Sequence, residues 1–329
     1  MRCVLELRKR QHPFEYQQAE QFTLDGQTDP LLNNSYYFSA HDENLSVFAR
    51  LGKRVRQEET WFAFYRGGKL YSLQQETFPA GASPLSVQLS GDQWSLSFQG
   101  IVNKEDKVDF QARFIPRQEP IDFTTNMPSE RMAIGLANEK WSRELFSSLQ
   151  TISGQCHYEQ EGLLEGTLTV NGESTNFCLP CVRDHSFGKR DWDYMNNHLW
   201  LMAIAPDRQQ NNYQVSYPAH SQLEVGKYRD AAGQHNQLQA DLDLAQLGTG
   251  TGPGELSFQI RLDNKRVLPV QAQVLSGVSY HFQEGQYILH ENIASFDIDG
   301  KPCRGILEIG FNRINGRFFN QRTPDSFRR

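Results

Sequence analysis

Residues 96–112 read LSFQGIVNKEDKVDFQA, and residues 256–272 read LSFQIRLDNKRVLPVQA. The two stretches lie 160 positions apart, close to half of the 329-residue chain, and agree without gaps at six of seventeen positions. Leu96-Ser97-Phe98-Gln99 returns as Leu256-Ser257-Phe258-Gln259, and Gln111-Ala112 returns as Gln271-Ala272. Each copy alternates: Trp94, Leu96 and Phe98 with Ser95, Ser97 and Gln99, and Leu256, Phe258, Ile260 and Leu262 with Ser257, Gln259 and Arg261. That is the period of a strand with one buried face. A fixed offset of this size points to a duplicated β module in which each half closes its own sheet.

The alternation extends outward. Leu45, Val47, Ala49 and Leu51 alternate with Ser46, Phe48 and Arg50, and Gly67-Gly68, Ser90-Gly91-Asp92, Asn171-Gly172 and Asp299-Gly300 supply turns between the runs. From Ser129 to Gln150 the spacing becomes helical, with Met132, Ala133, Leu136, Leu145, Phe146 and Leu149 on a three-to-four repeat behind a Pro128-Ser129 start. The expected fold is all-β: two lipocalin-like antiparallel barrel halves, over 1–192 and 193–329, with a short helical insertion near 129–150. The run from Gly248 to Gly254 reads as a hairpin loop. No Lys-Ser/Thr follows its glycines, so it is no phosphate loop.

Composition narrows the function. A net charge of −6 with both signs interspersed argues against nucleic acid as a partner, since phosphate binding needs a concentrated basic face. No apolar run reaches the length of a membrane span. The first fifteen residues lack an apolar signal core, and the five cysteines, an odd number, show no framework spacing. These features lead us to expect a cytoplasmic protein with reduced thiols. Cys178-Leu179-Pro180-Cys181 reads as two thiols on one strand rather than a redox or zinc motif. The sequence demands no cofactor and no metal, because no His-x-His or His-x-x-x-His spacing is present.

One segment reads as chemistry. Arg183-Asp184-His185-Ser186-Phe187-Gly188-Lys189-Arg190-Asp191-Trp192 places six ionisable side chains in ten residues, between apolar runs at 177–182 and 199–204. Charges so placed are costly unless they pair, hydrogen-bond or face a cavity. On a strand, Arg183 and His185 point one way and Asp184 and Ser186 the other.

This segment resembles the R-D-H-S-[WF]-G-x-R-D-W signature of the carotenoid hydratase-like, AttH-like superfamily of double lipocalins. The resemblance extends to His157-Tyr158-Glu159-Gln160, to Trp200-Leu201-Met202-Ala203, to the Asn33–Arg66 region and to Glu291–Phe311. Phe187 stands where many relatives have Trp, which alters the wall of any cavity there. The resemblance implies an apolar ligand site within a barrel, and hydratase, isomerase or cyclase chemistry by protonation of an alkene followed by capture of the cation. Under that reading Asp184 is the candidate acid and His185 its proton partner. Trp192 and Trp200 form an aromatic wall, Arg183 or Arg190 orients a polar substrate group or an acidic neighbour, and Asp191 lies among the ligand-binding residues. His157, Tyr158 and Glu308 line the site, and Glu291 is a further carboxylate to consider. The competing reading is a non-catalytic carrier or structural module, in which an Arg stacked on a Trp closes a barrel end and pairs with an Asp. The sequence leaves both open, together with the ligand's identity and the oligomeric state.

Overall fold

The computed structural model describes residues 15–313, apart from most of 123–154, positions 217–221 and 248–251, and isolated positions at 92, 191, 193, 194, 206, 243, 283 and 284. One compact unit carries the first eleven strands and another the last eight.

The first unit is one antiparallel sheet of β1 (Leu32–His41), β2 (Leu45–Arg54), β3 (Gln57–Arg66), β4 (Lys69–Ser72), β5 (Thr77–Pro79), β6 (Leu85–Ser90), β7 (Gln93–Val102), β8 (Asp106–Pro116), β9 (Ile121–Asp122), β10 (Cys156–Val170) and β11 (Glu173–Lys189). Its spatial order is β4-β3-β2-β1-β11-β10-β8-β7-β6, with β5 on β3 and β9 on β10. The sheet curls on itself, for Phe62 of β3 stacks on Phe98 of β7 at 4.0 Å although the ladder sets these strands far apart. Side-chain bonds bridge the seam that the ladder leaves open. Asn103, after β7, accepts from Ser72 N at 3.1 Å and donates to Leu70 O at 2.9 Å. Ser83 N donates to Glu58 at 3.2 Å. A single helical turn, α1 (Tyr16–Ala19), precedes the sheet.

The second unit is a closed barrel of β12 (Asn197–Ala205), β13 (Arg208–Ser216), β14 (Gln222–Asp230), β15 (Gly233–Ala240), β16 (Glu255–Leu262), β17 (Val267–Phe282), β18 (Tyr287–Ile298) and β19 (Lys301–Asn312). Leu199, Leu201, Ile260, Val270, Ile298, Leu307 and Ile309 fill it.

The repeat is reproduced to the register. Leu96 faces Ala112 and Ser97 faces Gln111 on β7–β8; Leu256 faces Ala272 and Ser257 faces Gln271 on β16–β17. Chain order agrees too, since the last strand of each unit returns to pair with the first, β11 on β1 and β19 on β12. Gly67-Gly68, Asn171-Gly172 and Asp299-Gly300 each close a two-residue hairpin with both residues at positive φ, the backbone that suits the twist of the flanking strands. Within the expected helical insertion, Ser129, Ala133, Ala137 and Arg143 are helical, and the other residues of 129–150 apart from Trp141 lie outside the described residues. Positions 248–251 of the glycine-rich loop do so as well. Among the described residues no helix is long and apolar enough to cross a membrane.

Cys178 and Cys181, three apart on β11, point to opposite faces; the first is exposed, the second buried, and both are free thiols, as are Cys156 and Cys303. Burial pushes the Cys156 thiol up to about 12, so it resists alkylation in the folded chain. Among the four described cysteines, native alkylation is therefore expected to reach Cys178 first, and unfolding without reductant to release all five thiols to the reagent. A mass lower by two hydrogens would reveal a bridge and contradict this.

Candidate functional site

β11 lies between β1 and β10, and its alternation sends the signature residues to two faces. Arg183 and His185 point into the sheet's interior, where both are fully buried. The Arg183 guanidinium lies 4.7 Å from the Trp94 ring centre, donates to Gln160 Oε1 at 3.0 Å and to the Tyr16 hydroxyl at 3.1 Å, and forms an ion pair with Glu20 at 2.8 Å. Its aromatic partner is thus Trp94 and its anion Glu20. Although burial alone would raise it, the contacts to His185 and Arg183 hold the Glu20 carboxyl below the usual range. Burial pushes the Tyr16 phenol up to about 12 and the Tyr158 phenol further, so both are neutral donors.

His185 stacks on Tyr36 at 4.4 Å. The Asn34 amide nitrogen donates to Phe22 O at 3.0 Å and to the Tyr36 hydroxyl at 3.2 Å, so its oxygen takes the His185 Nε2 proton at 2.8 Å. Nδ1 lies beside both the Tyr158 hydroxyl and the Glu20 carboxylate, the latter at 3.3 Å. Burial keeps this imidazole neutral, lowering its pKa.

Asp184 faces the other side of the sheet. Asp184 and His185 therefore do not meet, and the expected acid–imidazole pair is corrected by the two-residue period of the strand. The partner of Asp184 is His157 on β10, and Glu159 stands directly opposite Asp184 in the ladder. Donor atoms of His157, Glu159 and Asp184 all lie within 4.8 Å of one another. Burial alone would lower the His157 pKa; Asp184 beside it raises it instead. On the same face Ser186 accepts from Arg190 at 3.0 Å, and Arg50 lies 4.5 Å from the Trp61 ring centre and pairs with Glu59 at 3.2 Å. Gly52 makes room for that pair, because a Cβ there would lie 2.8 Å from the Arg50 guanidinium. At the end of β11, Gly188 takes φ +113°, a conformation open to glycine, and Arg190 N then bonds Leu31 O at 2.8 Å. Asp191 lies outside the described residues.

The barrel half carries its own polar cluster, on the outward but buried side of β12, β18 and β19. Parity separates it from the core: Leu199, Leu201, Leu307 and Ile309 point in, while His198, Trp200 and Glu308 point out. His198 Nδ1 lies 2.6 Å from the Tyr287 hydroxyl, and its Nε2 meets Glu308. Trp192 stacks on Tyr287 at 5.0 Å and on Phe282 at 4.6 Å. Trp200 and Glu291 each stand opposite Glu308 on a neighbouring strand. Gly310 is what lets the imidazole lie flat on the sheet, since a Cβ there would be 2.3 Å from the His198 ring and 2.7 Å from Tyr287. His290 points to the other side of β18 and bonds Ser279 at 2.7 Å.

Sequence reading named Glu308, Trp192 and Trp200 but missed His198, Tyr287, Glu20, Asn34, Tyr36 and Trp94. His198 carried one signal, a histidine at the head of the apolar run 199–204. Glu20 carried none.

A family model described as a domain of unknown function, DUF7064, matches residues 22–313. The chain belongs to this family. No curated protein sequence matches the DUF7064 chain. Among solved structures it is similar to an AttH-type protein from Nitrosomonas europaea, at a TM-score of 0.62 and 14% identity over 92% of this chain and 98% of that one. It is also similar to kievitone hydratase from Nectria haematococca, at a TM-score of 0.56 and 11% identity over 94% of each chain. At these identities the likeness establishes the fold, that of the AttH-like, carotenoid hydratase-like double lipocalins.

Proposed function

We propose that this chain binds a lipophilic alkene and carries out proton-transfer chemistry on it, of the hydratase, isomerase or cyclase type. The observation that carries the proposal is the buried chain Tyr287–His198–Glu308 under the face of Trp192. In its acid form the chain holds its extra proton on the imidazole, between carboxylate and phenol. Tyr287 passes its proton to an alkene carbon while taking one from Nδ1. The resulting cation faces the π systems of Trp192 and Trp200. Water adds to it, and the proton that water sheds returns to the imidazole, so the net change is addition of one water; loss of a carbon-bound proton instead gives isomerisation. The buried setting supports this role, because fixed dipoles act strongly where water is excluded. The kinship of fold to kievitone hydratase agrees with the reading. Asp184 stands with His157 and Glu159, apart from this proton chain.

The test is native mass spectrometry of freshly purified protein, followed by solvent extraction. The expected result is an apolar adduct, up to one per chain, released by extraction. A protein that carries none, and that no prenyl or polyene alkene stabilises against heat, overturns the proposal.

A further inference from the structure

We propose that His157, Glu159 and Asp184 hold a divalent first-row transition-metal cation. His157 and Glu159 are two residues apart on β10 and so project to one side, and Asp184 faces Glu159 across the β10–β11 ladder. Backbone register alone thus brings one imidazole and two carboxylates to a single point. Their donor atoms lie within 4.8 Å of one another. Ligands of one cation, each about 2.0–2.2 Å from it, can be at most about 4.4 Å apart, so small side-chain rotations complete the set. A single dication engages all three groups at once.

Burial favours the same assignment. Glu159 is 1% exposed and Asp184 4%, while the His157 side chain keeps 23%, which leaves an approach on the imidazole side. Two carboxylates taken from water to one point are stabilised by positive charge beside them, and a dication supplies two units of it. The mixed nitrogen and oxygen donors select manganese, iron, cobalt, nickel or zinc over magnesium and calcium, which prefer oxygen alone. Three protein donors leave coordination positions for water or for a ligand oxygen. Pairing histidines in the sequence could not find this site, because its signature is His-x-Glu on one strand and a carboxylate on the next.

The site is independent of the Tyr287 proton chain, and its test reads metal, not turnover. Full-length protein is stripped with EDTA and titrated with Mn²⁺, followed by electron paramagnetic resonance and calorimetry. One Mn²⁺ per chain is expected, with spin-echo modulation from one imidazole nitrogen, and with no displacement by equimolar Mg²⁺. Glu159→Gln and Asp184→Asn are expected to weaken binding by more than the ~10- to 100-fold that follows loss of even an outer partner, and Cys178→Ser to leave it unchanged. Absence of a stoichiometric site in wild-type protein, a bound Mn²⁺ without nitrogen modulation, or equal affinity in Glu159→Gln would each overturn the proposal. The wild-type modulation needs no variant to fold.

Discussion

Glu20→Gln is expected to lower the unfolding free energy by about 3–5 kcal/mol, a large share of a domain's roughly 5–15 kcal/mol. The substitution keeps the shape and removes one charge. Arg183 is 0% exposed, and the carboxylate 2.8 Å away is the anion that neutralises it within its half. Without it a guanidinium remains charged among Trp94, Tyr16 and Tyr158 rings, which partly solvate a cation but do not neutralise it. Arg183→Met alone is also destabilising, because it strands Glu20. The double variant recovers most of either loss, and a double-mutant cycle in urea should return strong coupling. Acid should act in the same direction. The Glu20 pKa is depressed in the folded state, so its contribution is present above its unfolded value near 4.5 and is lost as pH falls. His185 is depressed as well; below about 6.5 the unfolded chain takes up a proton that the folded imidazole refuses, so acidification again favours unfolding. In Glu20→Gln the lower limb of this profile, below about pH 4.5, should flatten. A Glu20→Gln variant within 1 kcal/mol of wild type would show that Arg183 is neutralised by something else.

That pair marks where the sequence stopped being readable. Period-two alternation gave the strands, and a 160-residue offset gave the duplicated hairpin down to its register, since both are properties of neighbours along the chain. The same alternation separates Arg183 and His185 from Asp184. What it could not supply is the identity of each partner. Glu20 sits in YQQAEQF, a polar run with no apolar period, and acquires meaning only because one helical turn lays it over a sheet whose Arg183 lies 163 residues later. Trp94 reads as an ordinary inward residue of β7, and its role as the platform for Arg183 depends on the sheet curling until β7 reaches the interior face of β11. His198, Tyr287 and Glu308 lie on three strands whose registers place them together. Long-range register is decided by packing of whole faces, and single-chain periodicity does not encode it.

His198→Gln should abolish most of any turnover. Removing a positioned acid–base group typically costs about 10²- to 10⁴-fold, and here the imidazole links Glu308 to the Tyr287 hydroxyl. Tyr287→Phe should cost a similar factor while its ring remains in place under Trp192, so ligand affinity should change little. A fall in kcat with KM nearly constant is therefore the signature, because the interaction lost is one made in the transition state. Gly310→Ala approaches the same centre from the backbone. Its Cβ would stand 2.3 Å from the His198 ring, so the imidazole must move and both of its bonds lengthen. Overpacking of this kind costs about 1–3 kcal/mol in stability, yet the rate loss should match that of His198→Gln even though no ionisable group is removed. The substrate is the alkene recovered by extraction or found by thermal stabilisation. One readout needs no substrate: nitrogen-15 spectra of neutral His198 should show a protonated Nε2 and a bare, hydrogen-bonded Nδ1, and Tyr287→Phe should shift Nδ1 alone. If His198→Gln turns over at the wild-type rate, or if the proton sits on Nδ1, the chain from Glu308 to Tyr287 runs the other way or carries no catalytic proton.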